Sequence, residues 1–505
     1  MMDVEKSPAQ HDEPAMVEAG MMDEISKSQN SLQRWAARLE QKFGVEARGI
    51  DRVPEELRGT KTSLMDYCQM GLVWFSANCT VLSIAIGLLG PTVFGVGLND
   101  GLVLSAFATM LAALVVGYIS TFGPASGNRT MVIIRYTMGW WPSRICVFLN
   151  LVIMLGWGLI NVLVAGQILT AINGGGMTVI VGVIVASIIS LLVVVFGIKA
   201  FHAFERYAWV PQLMVMFILI GLVGPSFETD MVTTGSSQVK NADRMSFFFL
   251  VISGSLSWAP AGADFYVYFS PNAVRWKVCL SATLGLGLAT AFTTMLGVGV
   301  GTAIPTNSHW KDAYDEDIGT LLVELFRPLN HFGNLCSVIL AIGLIANNVA
   351  GTYSAALSFQ LLGRWFAQVP RLIWTVIGVI IYTVLACVGR NSFYAVFEDF
   401  LALMGYWVAI WVTITLEEEF IFRRKSGYDW TAWNNPNLLP IGLAALAAFL
   451  VGWVGSIMGM YQTYFTGPIG KLVGYGIDLG IPLGVSWSGL VYPFLRWLEL
   501  KYIGR

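Results

Sequence analysis

Twelve stretches of this chain are apolar over the length a helix needs to cross a bilayer: near residues 70–97, 101–121, 144–170, 177–197, 207–225, 246–269, 277–303, 334–362, 371–389, 393–415, 439–460 and 480–499. In hydrocarbon every backbone polar group must find a partner within the protein, and a helix supplies those partners along its own ladder. The sequence therefore predicts an all-α membrane protein of about twelve transmembrane helices. Composition agrees: 55% of the 505 residues are hydrophobic and 12% charged, where soluble domains carry roughly a quarter charged residues. The 53 glycines let helices approach closely. A formal net charge of −2 gives no reason to expect a nucleic-acid partner. The cysteines (Cys68, Cys79, Cys146, Cys279, Cys336, Cys387) are scattered without a CxxC pair, so neither a disulfide framework nor a zinc site is expected.

Residues 1–65 are polar and of mixed charge, with no secretory signal visible. They read as a cytosolic tail, partly disordered, with a short amphipathic helix around Ser31–Phe43. The transmembrane domain is expected over 66–500 and a cytosolic C-terminus over 501–505. Basic residues set the orientation. With the N-terminus inside, the inner loops hold Arg129, Arg135, Arg144, Lys199, Arg206, Arg275, Lys277, Arg364, Arg371 and Arg423-Arg424-Lys425. The outer loops hold Lys240, Arg244, Lys311, Arg327, Arg390 and Lys471, with an acidic cluster at Asp312, Asp315, Glu316 and Asp317. Both termini are expected in the cytosol.

Two spans carry helix breakers in their middle, the first around Ser83–Pro91 and the sixth around Gly254–Gly262, where Pro260 removes a backbone donor. They lie five helices apart. Interrupted spans at matching places in two halves point to inverted repeats around a midplane binding site. Repeat one would cover 70–225 and repeat two 246–415, leaving accessory helices within 439–499.

In the third span, Trp157 and Asn161 stand at i and i+4 and share one helix face. An indole beside a carboxamide can stack on a flat heteroaromatic ring and hydrogen-bond its edge. The same spacing also suits a small-residue packing motif, with Asn161 as interhelical glue, and spacing does not choose between them. Trp258 lies near the middle of the sixth span, away from the interfacial belts where membrane tryptophans concentrate. In the eighth span the adjacent amides of Asn347 and Asn348 cannot face one way. One should face a cavity and the other a neighbouring helix, and the sequence leaves open which. Ser83 could hydrogen-bond at the first break, although such serines commonly bond back to their own backbone. Two carboxylates are candidate proton carriers, Glu205 (beside His202 and Arg206) and Asp264. A loop-edge ion pair with Lys199 or Arg206 is the plainer reading of Glu205. No P-loop, HExxH or GxSxG occurs, and His11, His202, His309 and His331 lack metal-ligand spacing, so no enzyme and no metal are expected.

Arg48-Gly49-Ile50-Asp51-Arg52-Val53-Pro54, the Trp157…Asn161 helix, Ser257-Trp258 followed by Ala263-Asp264-Phe265-Tyr266-Val267-Tyr268, and Asn347-Asn348 together resemble the nucleobase:cation symporter family 1, in its fungal purine–cytosine permease branch. The resemblance runs over nearly the whole chain from about residue 48. It implies the leucine-transporter fold, with 5+5 inverted repeats and two accessory helices. It also implies a base stacked between Trp157 and Trp258, edge hydrogen bonds from Asn161, Asn347 and Asn348 with Ser83 contributing, and a role for Glu205 in function or specificity. One departure bears on the ion. Sodium-coupled members place hydroxyls on the eighth helix ahead of the amide, where this chain reads Ala341-Ile342-Gly343-Leu344. The expectation is a plasma-membrane symporter importing cytosine and purines (adenine, guanine, hypoxanthine) by alternating access, coupled to protons rather than sodium, with no cofactor. The alternatives are a related symporter for pyridoxine, uracil or allantoin, and, from another class, a channel or a non-transporting nutrient sensor. Oligomeric state and the ranking of cytosine against purines stay open.

Overall fold

Ser63 opens the bundle. Its hydroxyl accepts from the Asp66 N–H while the Asp66 carboxylate accepts from the Ser63 N–H, at 3.3 and 2.7 Å, which satisfies first-turn donors reciprocally. Helix α1 (Leu64–Asn78) follows. The computed structural model describes residues 49–174, 176–196 and 198–505, and their side chains except those of residues 196–206, 208 and 395. The helix expected around Ser31–Phe43 lies outside the described residues.

The first span is broken, and α2 (Val81–Thr92) leaves α1 at 57°. The break falls at Cys79-Thr80, upstream of the expected Ser83–Pro91. Pro91 sits in the last turn of α2, where it helps end the helix instead of splitting it. The chain turns where polar groups bond locally. The Asn78 amide donates back to the Trp74 carbonyl and the Thr80 N–H to the Asn78 carbonyl, both at 2.9 Å, an alternative to the helical ladder.

Next come α3 (Leu98–Ser120), a short loop helix α4 (Thr130–Met138), α5 (Ser143–Ile172), α6 (Val179–Phe196) and α7 (Ile198–Val223). The sixth span runs as α8 (Ser237–Leu256), stops at Ser257-Trp258, and resumes as a 3₁₀ helix over Ala259–Tyr266. That is the interruption expected around Gly254–Gly262. The second half continues with α9 (Arg275–Ala303), α10 (His331–Leu361), α11 (Arg371–Gly389) and α12 (Phe393–Glu417). Two further helices, α13 (Leu443–Gly459) and α14 (Gly480–Tyr502), complete the bundle.

Eight helices among the described residues are long and apolar enough to cross a membrane, and the bent pair α1–α2 makes a ninth. α6 and α13 are shorter apolar helices, and α14 adds 23 residues. These segments coincide with the twelve apolar stretches of the sequence. Phe107 and Leu114 on α3 and Val384 and Val388 on α11 stay exposed on the outside of the bundle, an apolar surface suited to lipid.

α9 braces both halves of the broken span. A Cβ on Gly285 would lie 2.3 Å from the Gly71 carbonyl oxygen, and one on Gly297 would lie 2.1 Å from that of Ile84. Only glycine permits such contact between helix backbones. The breaks of the first and sixth spans meet beside this brace. The Trp74 and Trp258 rings pack edge to face at 5.7 Å.

A buried ionic cluster ties the accessory helices on. Glu418 accepts from the Tyr492 hydroxyl (2.8 Å), Arg423 Nε (2.9 Å) and both Arg496 Nε and Nη2 (3.0 Å each). Arg496 also reaches Glu499 at 3.0 Å, and the other Glu499 oxygen accepts from the Gly442 and Leu443 N–H groups that open α13. Removing one partner strands a buried charge, at a cost on the order of 3–5 kcal/mol. Arg496→Met should therefore lower the thermal unfolding midpoint of detergent-purified protein sharply, with Arg496→Lys recovering part of the loss.

Candidate functional site

The site is built where α5 and α10 cross the two breaks. The Trp157 indole N–H donates to Ser257 Oγ at 3.2 Å, and the Ser257 hydroxyl in turn donates to the Gly254 carbonyl at 2.7 Å. The third-span indole is thus pinned to the residue next to Trp258. Phe397 and Phe400 of α12 hold its ring edge to face, at 6.3 and 5.8 Å. Trp258 is held by Trp74 and by Phe265, the latter at 6.5 Å. Both Trp157 and Trp258 remain partly exposed within this packing.

One helical turn from Trp157, the Asn161 amide donates to the Trp157 carbonyl at 2.9 Å and to Asn347 Oδ1 at 3.1 Å. Asn347 in turn donates to the Ala77 carbonyl, at the very end of α1, at 2.5 Å. That carbonyl is available because the helix ends there and leaves its last acceptors unpaired. The amide chain therefore joins the third span, the eighth span and the first-span break. Asn161 Oδ1 is buried and has no hydrogen-bond partner among the described residues. A bare acceptor of this kind costs on the order of 1–3 kcal/mol unless a donor arrives.

Trp157, Asn161, Trp258 and Asn347 are thus brought into one neighbourhood. Asn348 turns the other way, donating to the Tyr382 hydroxyl of α11 (3.1 Å) and to Ser190 Oγ of α6 (3.4 Å). Ser83 is buried in the first turn of α2, just past the break. Asp264 lies on the 3₁₀ helix, and its Oδ1 accepts from the N–H and hydroxyl of Thr130 at 2.7 and 3.0 Å. It caps α4, a favourable place for a carboxylate. Glu205 belongs to α7, but its side chain lies outside the described residues.

Sequence reasoning missed three partners: the Ser257 hydroxyl, Trp74, and the Phe397–Phe400 pair. Ser257 alone had a signal, its place beside a mid-span tryptophan. The aromatic contacts arise from helix packing that no local pattern encodes. Ser257→Ala removes the only acceptor seen for the Trp157 indole N–H among the described residues. It should raise the Km for substrate several-fold in an uptake assay, at unchanged surface abundance.

Comparison with known proteins decides the family. The family described as permeases for cytosine/purines, uracil, thiamine and allantoin matches residues 52–474. The chain belongs to this family. Among relatives of the permease, purine-cytosine permease FCY2 of Saccharomyces cerevisiae is 33% identical, over 95% of this chain and 91% of its own. Purine-cytosine permease fcyB of Emericella nidulans is 35% identical, over 94% and 92%. Vitamin B6 transporter TPN1 of Saccharomyces cerevisiae is 32% identical, over 93% and 90%. The permease also shares the fold of Mhp1, a nucleobase-cation-symport-1 family transporter solved closed with bromovinylhydantoin bound. Its TM-score is 0.65 at 15% identity, with 90% of this chain and 95% of that chain covered. The permease is accordingly a multi-pass membrane transporter of the nucleobase:cation symporter family 1, in its fungal purine–cytosine branch, with the leucine-transporter fold.

Proposed function

We propose that this permease imports cytosine and the purines adenine, guanine and hypoxanthine across the plasma membrane by proton symport, both termini lying in the cytosol. Residues 1–65 then form a cytosolic tail, and alternating access proceeds by rocking of the interrupted spans around a midplane site. The observation that carries this reading is the bare Asn161 Oδ1 beside Trp157, which offers an exocyclic amino group its acceptor next to a stacking surface. The Trp157 and Trp258 indoles would hold the ring plane, while Asn161 and Asn347 read its edge. Asn348 and Ser83 would support that edge from one layer behind. Pyridoxine is the second reading, favoured by the vitamin B6 transporter among the relatives.

Proton rather than sodium coupling is supported by the eighth span. Ala341, Gly343 and Leu344 are buried there without a hydroxyl. A Cβ on Gly343 would meet the Gln212 amide at 2.2 Å, and that amide already donates to the Ile339 carbonyl. A sodium ion prefers several hard oxygen ligands, whereas the side chains at this stretch offer only Gln212 Oε1, buried without a partner among the described residues. Glu205 and Asp264 are the carboxylates proposed to carry the proton. Labelled cytosine uptake should therefore rise as external pH falls, collapse with a protonophore, and ignore sodium replacement. Adenine and hypoxanthine should compete, whereas pyridoxine competing more strongly than adenine would favour the second reading. Glu205→Gln should flatten the pH profile, and a profile left unchanged would remove Glu205 from the coupling path.

A further inference from the structure

A cavity of about 230 Å³ lies apart from Trp157 and Trp258, at the end of the bundle that carries the loop between α13 and α14. Val93 and Phe94 just past α2, parts of α8, α12 and α14, and that loop wall it, and none of Trp157, Asn161, Trp258 or Asn347 lines it. Its volume falls below the ~300 Å³ at which pockets for drug-sized ligands begin, so it suits a ligand of one or two rings.

The chemistry of the lining is one-sided. Asp243 of α8 and Glu398 of α12 are both partly buried, and neither makes a hydrogen bond or ion pair with any described residue. Among the described residues, no lysine or arginine lines the cavity to balance them. Gln462 supplies an independent sign. It is only 8% exposed, its Nε2 is committed to the Tyr406 hydroxyl (2.7 Å) and to Asp478, and its Oε1 is buried without a partner among the described residues. Asp478 is itself occupied, accepting from the Tyr406 hydroxyl at 2.5 Å and the Gly480 N–H at 2.7 Å. The unpaired side-chain groups of the lining are therefore mostly acceptors, two carboxylates and one amide oxygen, with the Tyr461 hydroxyl the one group that can also donate. Phe94, Phe249 and Tyr461 contribute flat apolar surface beside them.

Carboxylates left without donors in a partly dry wall are costly, and a ligand bearing N–H groups relieves that cost. Asp and Glu accept from the cytosine amino group where proteins read nucleic-acid bases, and aromatic rings stack on any base face. The lining thus selects a planar, amino-bearing heterocycle.

α12 is the partition between this cavity and the central site. Glu398, Ala402 and Tyr406, at i, i+4 and i+8, line the cavity, whereas Phe397 and Phe400 press on Trp157 from the opposite face of the same helix. Ser253, five residues before Trp258, lines the cavity too. We propose that the cavity is a second binding station, holding one amino-bearing base between the outer medium and the central site, with α12 as the partition that must shift to pass the base inward. This inference rests on the nucleobase reading and on the orientation proposed with it.

Radiolabelled cytosine titrated into purified full-length permease tests it. Wild type should bind two bases per chain at saturation. Asp243→Asn combined with Glu398→Gln should bind one, and should raise the Km of uptake in proteoliposomes about tenfold, the effect of losing one charge-assisted hydrogen bond. Glu398→Asp should keep two. Glu398→Gln alone, which preserves side-chain volume, replaces the double variant if that does not stay monodisperse. A wild-type stoichiometry of one, unchanged by the acid substitutions, overturns the second station and leaves the central reading standing. Monodisperse wild type that binds no base overturns the nucleobase reading instead. A double variant that still binds two bases but loses the pH dependence of its uptake makes the cavity a proton site and overturns the proposal.

Discussion

Asn161→Ala should nearly abolish uptake of cytosine while the protein still reaches the membrane. The substitution removes the donor to Asn347 Oδ1 and the acceptor Asn161 Oδ1 together, and it frees the Trp157 carbonyl bond. Each buried partner lost costs on the order of 1–3 kcal/mol, and 1.4 kcal/mol is tenfold in affinity. One lost bond to substrate plus a loosened Asn347 therefore predicts a fall in kcat/KM of roughly ten- to a hundredfold or beyond. Asn161→Gln, with the same groups on a longer arm, should recover part of the activity and change the order in which bases compete. Uptake by an Asn161→Ala variant at wild-type rate and equal surface abundance would remove the residue from the site.

Trp258→Ala carries the second large effect. It removes one proposed wall of the base sandwich, worth about 1–3 kcal/mol of stacking per base, and it unseats Trp74, whose ring is fully buried against it. Trp258 is only partly buried, so the loss should stay below the about 3–5 kcal/mol that deleting a fully buried Trp costs, and stability should fall along with transport. Trp258→Phe separates the two effects. It keeps an aromatic face for both the base and Trp74, and it should restore the unfolding midpoint and most of the uptake. Recovery of stability without any recovery of transport would mean that Trp258 recognises its ligand through the indole N–H, not through stacking.

The twelve spans were legible because bilayer thickness converts directly into run length, and no neighbour is needed to read it. The sixth-span interruption was legible for a similar local reason: Pro260 cannot donate, and Gly254 and Gly262 flank it. The first-span break lies about a turn ahead of Ser83–Pro91, because the turn comes from Asn78 and Thr80 bonding to nearby carbonyls and not from Pro91. The i, i+4 pairing of Trp157 with Asn161 was readable, and the structure joins them through the Trp157 carbonyl. The split roles of Asn347 and Asn348 could be anticipated only as a divergence. Which amide meets the α1 end and which meets Tyr382 depends on the rotation of α10, and that rotation is set by α5, α6 and α11 packing around it.

The chain's own residues determine that it is a bundle of membrane helices with a proline-interrupted sixth span and an aromatic–amide face on its third. These follow from run length, missing donors and helical period, each local to a few turns. Tertiary structure alone decides that Trp157 is pinned to Ser257, that Asn347 rather than Asn348 reaches the first break, and that α12 walls a carboxylate-lined cavity away from the indoles. Those contacts join residues about one to three hundred positions apart, and only the packing of whole helices can bring such groups within hydrogen-bonding distance.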